Sequence, residues 1–150
     1  MGTLYKGSKK NTDALNSYIK LIRSAESLSS KISLALSNHG LTESQIGILD
    51  ALLHIGPMKQ RELGKKILKS GGNITMVINN LEKRNLVQRI KGEKDKRQFI
   101  IHLTPKGRSQ IQELFPHIVK KIKRHFEILN KEEQKELQRL CKIIGLQIRS

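Results

Sequence analysis

One cysteine, Cys141, five histidines (His39, His54, His102, His117 and His125) and 13 carboxylates are the side chains from which this 150-residue chain would have to build enzymatic or metal chemistry. They are not spaced for it. His117 and His125 stand eight positions apart, too far for adjacent turns of one helix, and the histidines form no motif of the three or four clustered ligands that a zinc site needs. Ser70-Gly71-Gly72-Asn73 lacks the spacing and the lysine of a phosphate-binding loop. No Ser/His/Asp arrangement or carboxylate pair stands out. The expectation is a protein that is not an enzyme and needs no metal or cofactor.

The chemistry that remains is hydrogen bonding to a polyanion. Across Asn73–Arg84, Ile74, Val77, Ile78 and Leu81 recur at helical spacing, which puts Asn73, Thr75, Met76, Asn79, Asn80 and Lys83 on the other sides. Asparagine can pair bidentately with adenine in a DNA major groove, and a methionine can touch a thymine methyl group. Lys83 and Arg84 suit phosphates, which position a protein without reading sequence. Polar residues opposite an apolar stripe also describe any solvated helix face. What favours a reading helix is its setting. A tight turn, Lys69-Ser70-Gly71-Gly72, precedes it, with Ser70 a further candidate contact, and a basic hairpin follows. The hairpin tip is Lys91-Gly92-Glu93-Lys94-Asp95-Lys96-Arg97. Lys94 and Arg97 are its candidate DNA contacts, Arg97 suited to the enhanced negative potential of a narrow minor groove. Asp95 would repel phosphates, so its expected task is to hold a nearby Arg or Lys and shape the tip.

The whole chain fits such a partner. With 29 Lys+Arg against 13 Asp+Glu the formal charge is +16, a field that attracts nucleic acid first and acidic membrane surfaces second. Charge alone would serve a non-specific architectural DNA- or RNA-binding protein equally well. Trp is absent and aromatics make up 3%, so the core must be aliphatic and the stacking platforms of single-strand binders are not expected. No apolar run is long enough to span a membrane. Met1–Asn11 is polar and basic without the apolar stretch of a signal peptide. A single cysteine makes no internal disulfide and fits a cytoplasmic protein.

The elements that must position these residues follow from periodicity and punctuation. Residues 1–11 read as a flexible basic arm. Leu15, Tyr18, Ile19, Ile22, Leu28, Ile32, Ala35 and Leu36 mark a long first helix, stopped at Asn38-His39-Gly40. Thr42-Glu43-Ser44-Gln45 has the form of a capping box for a second helix that ends at Gly56-Pro57. Lys59–Leu68 is a short third helix and Asn73–Arg84 the fourth. The period then changes, and Leu86–Ile90 and Gln98–Leu103 read as two paired strands. Thr104-Pro105 opens a fifth helix with Pro116 expected to kink it, and a sixth spans about Lys131–Arg149. The fold class is mostly α (α+β): a winged helix-turn-helix over residues 41–103, with dimerisation helices at 12–38 and 104–150. The terminal helices carry apolar stripes beside a head that already has its own core. A two-fold dimer would cover those stripes and offer two reading helices to a pseudo-palindromic site. The alternative is that they fold back on their own head.

The sequence resembles the MarR family of transcriptional regulators over nearly its whole length. The resemblance rests on Leu41-Thr42-Glu43-Ser44-Gln45, Arg61-Glu62-Leu63-Gly64, the run Ile74–Val87, Asp95-Lys96-Arg97 and Leu103-Thr104-Pro105-Lys106-Gly107, in that order. It implies a homodimer packed through the first helix and the last two. It implies Arg97 as the wing arginine, Asp95 as its shaping acid, and repression of nearby genes relieved by small phenolic, aromatic or oxidising molecules. An effector pocket is implied between the dimer helices and the head, near the first, second and fifth helices. Asn85 departs from the family's usual glycine before the strand, but asparagine tolerates a left-handed backbone. Cys141 has two readings: a redox sensor, as in some relatives that carry a cysteine near the start of the first helix, or a small hydrophobe on the apolar stripe of the last helix. Its position favours the second.

Overall fold

The computed structural model describes residues 1–67 and 71–149. Nine elements follow in order: α1 (Lys9–Ser37), α2 (Glu43–Ile55), β1 (Met58–Lys59), α3 (Gln60–Lys66), α4 (Gly71–Lys83), β2 (Val87–Lys91), β3 (Phe99–Leu103), α5 (Pro105–Phe126) and α6 (Lys131–Arg149). Helices α2 to α4 and a small antiparallel sheet of order β1-β3-β2 form the head. The mostly α, winged-helix reading holds.

Local chemistry explains most boundaries. Gln45 N–H donates to Thr42 Oγ1 (3.2 Å) and Thr42 N–H to Gln45 Oε1 (2.9 Å), so the expected capping box starts α2. The Thr104 hydroxyl caps α5 by accepting from Gly107 N–H (2.9 Å), with Pro105 at the first turn. The same hydroxyl donates to the Asn85 carbonyl (2.7 Å), which ties the cap to the end of α4. Gly107 is required there. A Cβ at this position would stand 2.0 Å from the Leu86 carbonyl oxygen.

Helices α1 and α4 end in the same way. Leu41 N–H bonds back to the Leu36 carbonyl and Gly40 N–H to that of Ser37; Leu86 and Asn85 do likewise to Leu81 and Glu82. The residue that turns the chain sits in the left-handed region in both, Gly40 at φ 64° and Asn85 at φ 57°. Asn85 therefore does what the usual glycine would do.

Four expectations shift. The helix assigned from residue 12 starts at Lys9, capped by Ser8, so residues 9–11 are not arm. The remaining arm lies back on α1, with Thr3 N–H on Asn16 Oδ1 (2.7 Å) and Arg23 Nη1 on the Met1 carbonyl (3.4 Å). Gly71 and Gly72 are the opening residues of α4 rather than a turn before it. Helix α3 runs Gln60–Lys66, and Leu68, Lys69 and Ser70 lie outside the described residues. Strand β1 was not expected. It is two residues long, far below any periodicity, and exists because Met58 and Lys59 pair with Ile101 and Ile100 of β3.

The core is aliphatic, as the composition requires. Leu36, Ile48, Leu49, Leu52, Leu63, Ile78, Leu81, Leu86, Ile101 and Ile111 are fully buried in one cluster that joins the head to α1 and α5. Met58, Ile74, Leu114 and Ile118 extend it. Gly64 lets α3 approach α4, its Cβ position lying 3.4 Å from Ile74. Among the described side chains, α6 adds nothing to this core, and Leu137, Leu140, Ile143, Ile144 and Leu146 stand exposed.

Candidate nucleic-acid interface

The apolar stripe of α4 decides which of its side chains are available. Ile74, Ile78 and Leu81 point into the core and Val77 is half-buried. That leaves Asn73, Thr75, Met76, Asn80 and Lys83 exposed and Asn79 half-buried. Met76 exposes 58% of its surface. The candidate residues therefore share one outward surface of the helix, flanked by Thr75 and Asn73. Ser70 is outside the described residues.

What holds this surface in place was not legible beforehand. Gln60, first residue of α3, donates from Nε2 to Thr75 Oγ1 at 2.8 Å. Its Oε1 accepts from Arg89 Nε at 3.3 Å. Arg89, in β2, donates from Nη1 to Glu82 Oε2 (3.0 Å), and its backbone N–H meets Glu82 Oε1 (3.2 Å). Its Nη2 reaches the Thr75 carbonyl at 3.5 Å. One guanidinium thus fastens the wing strand to both helices of the helix-turn-helix. Arg89 was missed because one arginine among 29 basic residues carries no distinguishing signal. Its sequence trace is only the strand period, with Val87 and Arg89 on the same side of β2.

The hairpin tip is a compact turn. Gly92 N–H bonds the Gln98 carbonyl (2.9 Å) and Gln98 N–H the Asp95 carbonyl (3.0 Å). A Cβ on Gly92 would come 3.0 Å from that Asp95 oxygen. The Asp95 carboxylate accepts from the Arg97 backbone N–H (3.0 Å), from Arg97 Nε (3.4 Å) and from Gln98 Nε2 (3.1 Å). The acid is bound into the turn, while the Arg97 side chain remains 94% exposed and Lys94 projects beside it.

Between the wing and the helix-turn-helix runs a concave surface of about 750 Å³, bordered by Lys59, Arg61, Lys65, Thr75, Arg97 and Phe99. Four cations edge it, and three of them, Lys59, Arg61 and Lys65, are not among the DNA contacts expected from sequence. Arg84 goes elsewhere. Paired with Lys83 as a phosphate contact on sequence grounds, it turns to the end of α1, donating from Nη1 to the Gly40 carbonyl and from Nη2 to that of His39 (3.5 Å).

Outside the head, Leu15, Tyr18, Leu21 and Ile22 of α1, Val119 and Ile122 of α5, and the α6 residues named above present large apolar side chains to solvent. Cys141 is exposed in the single chain, like Leu137, Leu140 and Ile144 of the same helix. Nearby, the Arg139 guanidinium hydrogen-bonds the Glu136 carboxylate (2.7 and 2.8 Å) and holds it below its ordinary pKa, on a fully solvated face. At the α1–α5 contact, among Ile32, Leu36, His39, Leu114 and His117, the free volume is about 30 Å³, room for a water rather than an aromatic ring. A wider open cleft of about 680 Å³ lies beside α2, lined by Glu43, Asp50, His54, Lys66 and Ile67. Among the described residues no three His, Cys, Asp or Glu side chains gather as a metal site. No described helix is long and apolar enough to cross a membrane.

Comparison with known proteins agrees with this geometry. Residues 30–114 match the family of transcriptional regulators described as SarA/Rot. YkoM of Bacillus subtilis strain 168, an HTH-type transcriptional regulator, is 32% identical over 133 residues, 89% of this chain and 86% of that protein. The crystal structure of AbsC, a MarR family transcriptional regulator from Streptomyces coelicolor, superposes with a TM-score of 0.86 at 24% identity, over 97% of this chain and 99% of the other. MepR of S. aureus, solved as a DNA complex, superposes at 0.74 with 22% identity, over 86% and 96%. At those identities the two structures speak for the fold.

Proposed function

Because the chain belongs to the SarA/Rot family of DNA-binding transcriptional regulators, built on the MarR-type winged helix, we propose that it binds operator DNA in the cytoplasm as a homodimer and represses transcription until a small molecule or an oxidant releases it. The family are regulators, and the chain is not an enzyme. The observation that carries the sequence-reading part is the outward surface of α4. Asn73, Thr75, Met76, Asn79, Asn80 and Lys83 combine amide and hydroxyl groups for base edges, a thioether for a thymine methyl group and a cation for phosphate. Lys94 and Arg97 at the wing supply the second groove contact, on a tip that Asp95 shapes.

The dimer rests on the exposed apolar side chains of α1, α5 and α6, which a second copy of the chain would cover. A two-fold axis through these helices gives two α4 helices for half-sites about one DNA turn apart. Release works by separation. An aromatic or phenolic effector that prefers a different spacing of the two heads weakens binding to a fixed operator. Cys141 is the one thiol through which an oxidant can act directly.

The decisive assay is retention of the chain's own upstream DNA against random duplex at moderate salt. Strong preference for the upstream sequence supports the reading. Equal affinity for both replaces it with non-specific architectural binding, which the +16 charge would also serve. Sedimentation decides the dimer. Challenge of the complex with phenolic acids and with peroxide, the latter also on Cys141→Ala, decides the signal.

A further inference from the structure

Helix α1 is 29 residues long and ends without a basic residue in its last turn. Its terminal carbonyls carry the negative end of the helix dipole and normally attract a cation. The turn just past the helix, His39-Gly40, takes its cation from another element. Arg84, the residue immediately after α4, donates from Nη1 to the Gly40 carbonyl, and its Nη2 reaches the His39 carbonyl at 3.5 Å. Gly40 is held at φ 64°, and a Cβ there would approach the guanidinium, at 3.6 Å from Nη2. The Arg84 carbonyl is also used: Lys106 Nζ, in the first turn of α5, donates to it at 3.1 Å. The next residue's carbonyl, Asn85, accepts from the Thr104 hydroxyl. The C-terminal end of α4 is thus fastened to the exit of α1 by a side chain and to the entry of α5 by two hydrogen bonds.

We infer that Arg84 is a positioning residue that couples α1 to the recognition helix, so that the geometry of the α1/α5 framework sets the direction of α4. The inference deepens the operator-binding reading above and rests on it only for its consequence at DNA. The planar guanidinium bonds the Gly40 carbonyl, with the His39 carbonyl at the 3.5 Å limit of bonding, and so holds one orientation on this turn, whereas a lysine would act as a single point charge. Rotation of the last turn of α1 therefore carries the end of α4 with it. A phosphate contact would ask the opposite of Arg84: a guanidinium free to meet DNA.

The test needs no DNA at first. With Cys141→Ala as background, spin labels at exposed Lys31 in α1 and Lys83 in α4, diluted into unlabelled chain, report the distance within one chain. The parent gives one narrow distance. Arg84→Ala broadens it at least about twofold, and Arg84→Lys lies between. An unchanged distribution in Arg84→Ala overturns the inference whether or not the chain reads an operator. At DNA, Arg84→Ala keeps the parent's salt slope but loses preference among operators whose half-sites are moved by a few base pairs. If the slope instead falls by about 2, one phosphate per protomer, with spacing preference intact, Arg84 is a phosphate ligand and the inference fails. Failure of the parent to prefer its upstream DNA removes the operator reading and leaves the distance result to decide the coupling.

Discussion

Replacing Arg89 by alanine removes the bond between the wing strand and both helices that present the reading surface. Its cost can be built from contacts. The Arg89 side chain is 19% exposed and pairs with Glu82, 39% exposed, at 3.0 Å. A fully buried pair broken on one side costs about 3–5 kcal/mol and an exposed one about 0–1. This pair lies between, and water can reach Glu82 once the arginine is gone, so about 1 kcal/mol is reasonable. The hydrogen bond to Gln60 at 3.3 Å adds about 1 kcal/mol as a bond to a charged donor. The reach to the Thr75 carbonyl at 3.5 Å is at the limit of bonding and adds nothing. The backbone bond from Arg89 N–H to Glu82 survives the change. Arg89→Ala should therefore lose about 2 kcal/mol, or about 4–8 °C in Tm for a chain of this length. Urea unfolding at fixed protomer concentration should show a lower midpoint with unchanged m. A cycle with Glu82→Gln should return a coupling of about 1 kcal/mol. Thr75 loses its indirect support as Gln60 is released, so operator affinity should fall about tenfold, about 1.4 kcal/mol. A variant that melts within 0.5 kcal/mol of the parent, or a cycle with no coupling, would show that the network is a surface feature with no hold on α4.

Four further outcomes follow from local geometry. Gly107→Ala drives a Cβ to 2.0 Å from the Leu86 carbonyl oxygen and should destabilise by at least about 1–3 kcal/mol in a thermal melt. Gly145→Ala, in open space within α6, should be neutral or gain up to about 1 kcal/mol, and equal effects at the two sites would contradict the packing described. At Asn85, φ 57°, glycine should be tolerated and alanine should cost about 1–2 kcal/mol by urea titration; an alanine variant as stable as the parent would mean the left-handed turn is not retained. Arg97→Ala should weaken operator binding by about 1–3 kcal/mol with no change in Tm, since its side chain is 94% exposed; unaltered binding would remove the wing from DNA contact.

The sequence disclosed much of what depends on period and on caps, because both act between near neighbours, although the Ser8 cap of α1 escaped it. Thr42 with Gln45 and Thr104 with Gly107 are three residues apart, and the α4 stripe repeats every three or four. Even Asn85 could be understood, since its backbone preference is its own. What stayed hidden joins distant positions. Gln60, Thr75, Glu82 and Arg89 come from three elements. Arg84 reaches back 44 positions to Gly40, and β1 is specified by its partner rather than by itself. The high charge deepened the difficulty. In a chain with 29 basic residues, an arginine that fastens helices and one that meets phosphate look alike until their acceptors are known. The adjacent pair Lys83-Arg84 makes the point: composition treats the two as one basic step, yet Lys83 faces solvent and Arg84 closes the end of α1.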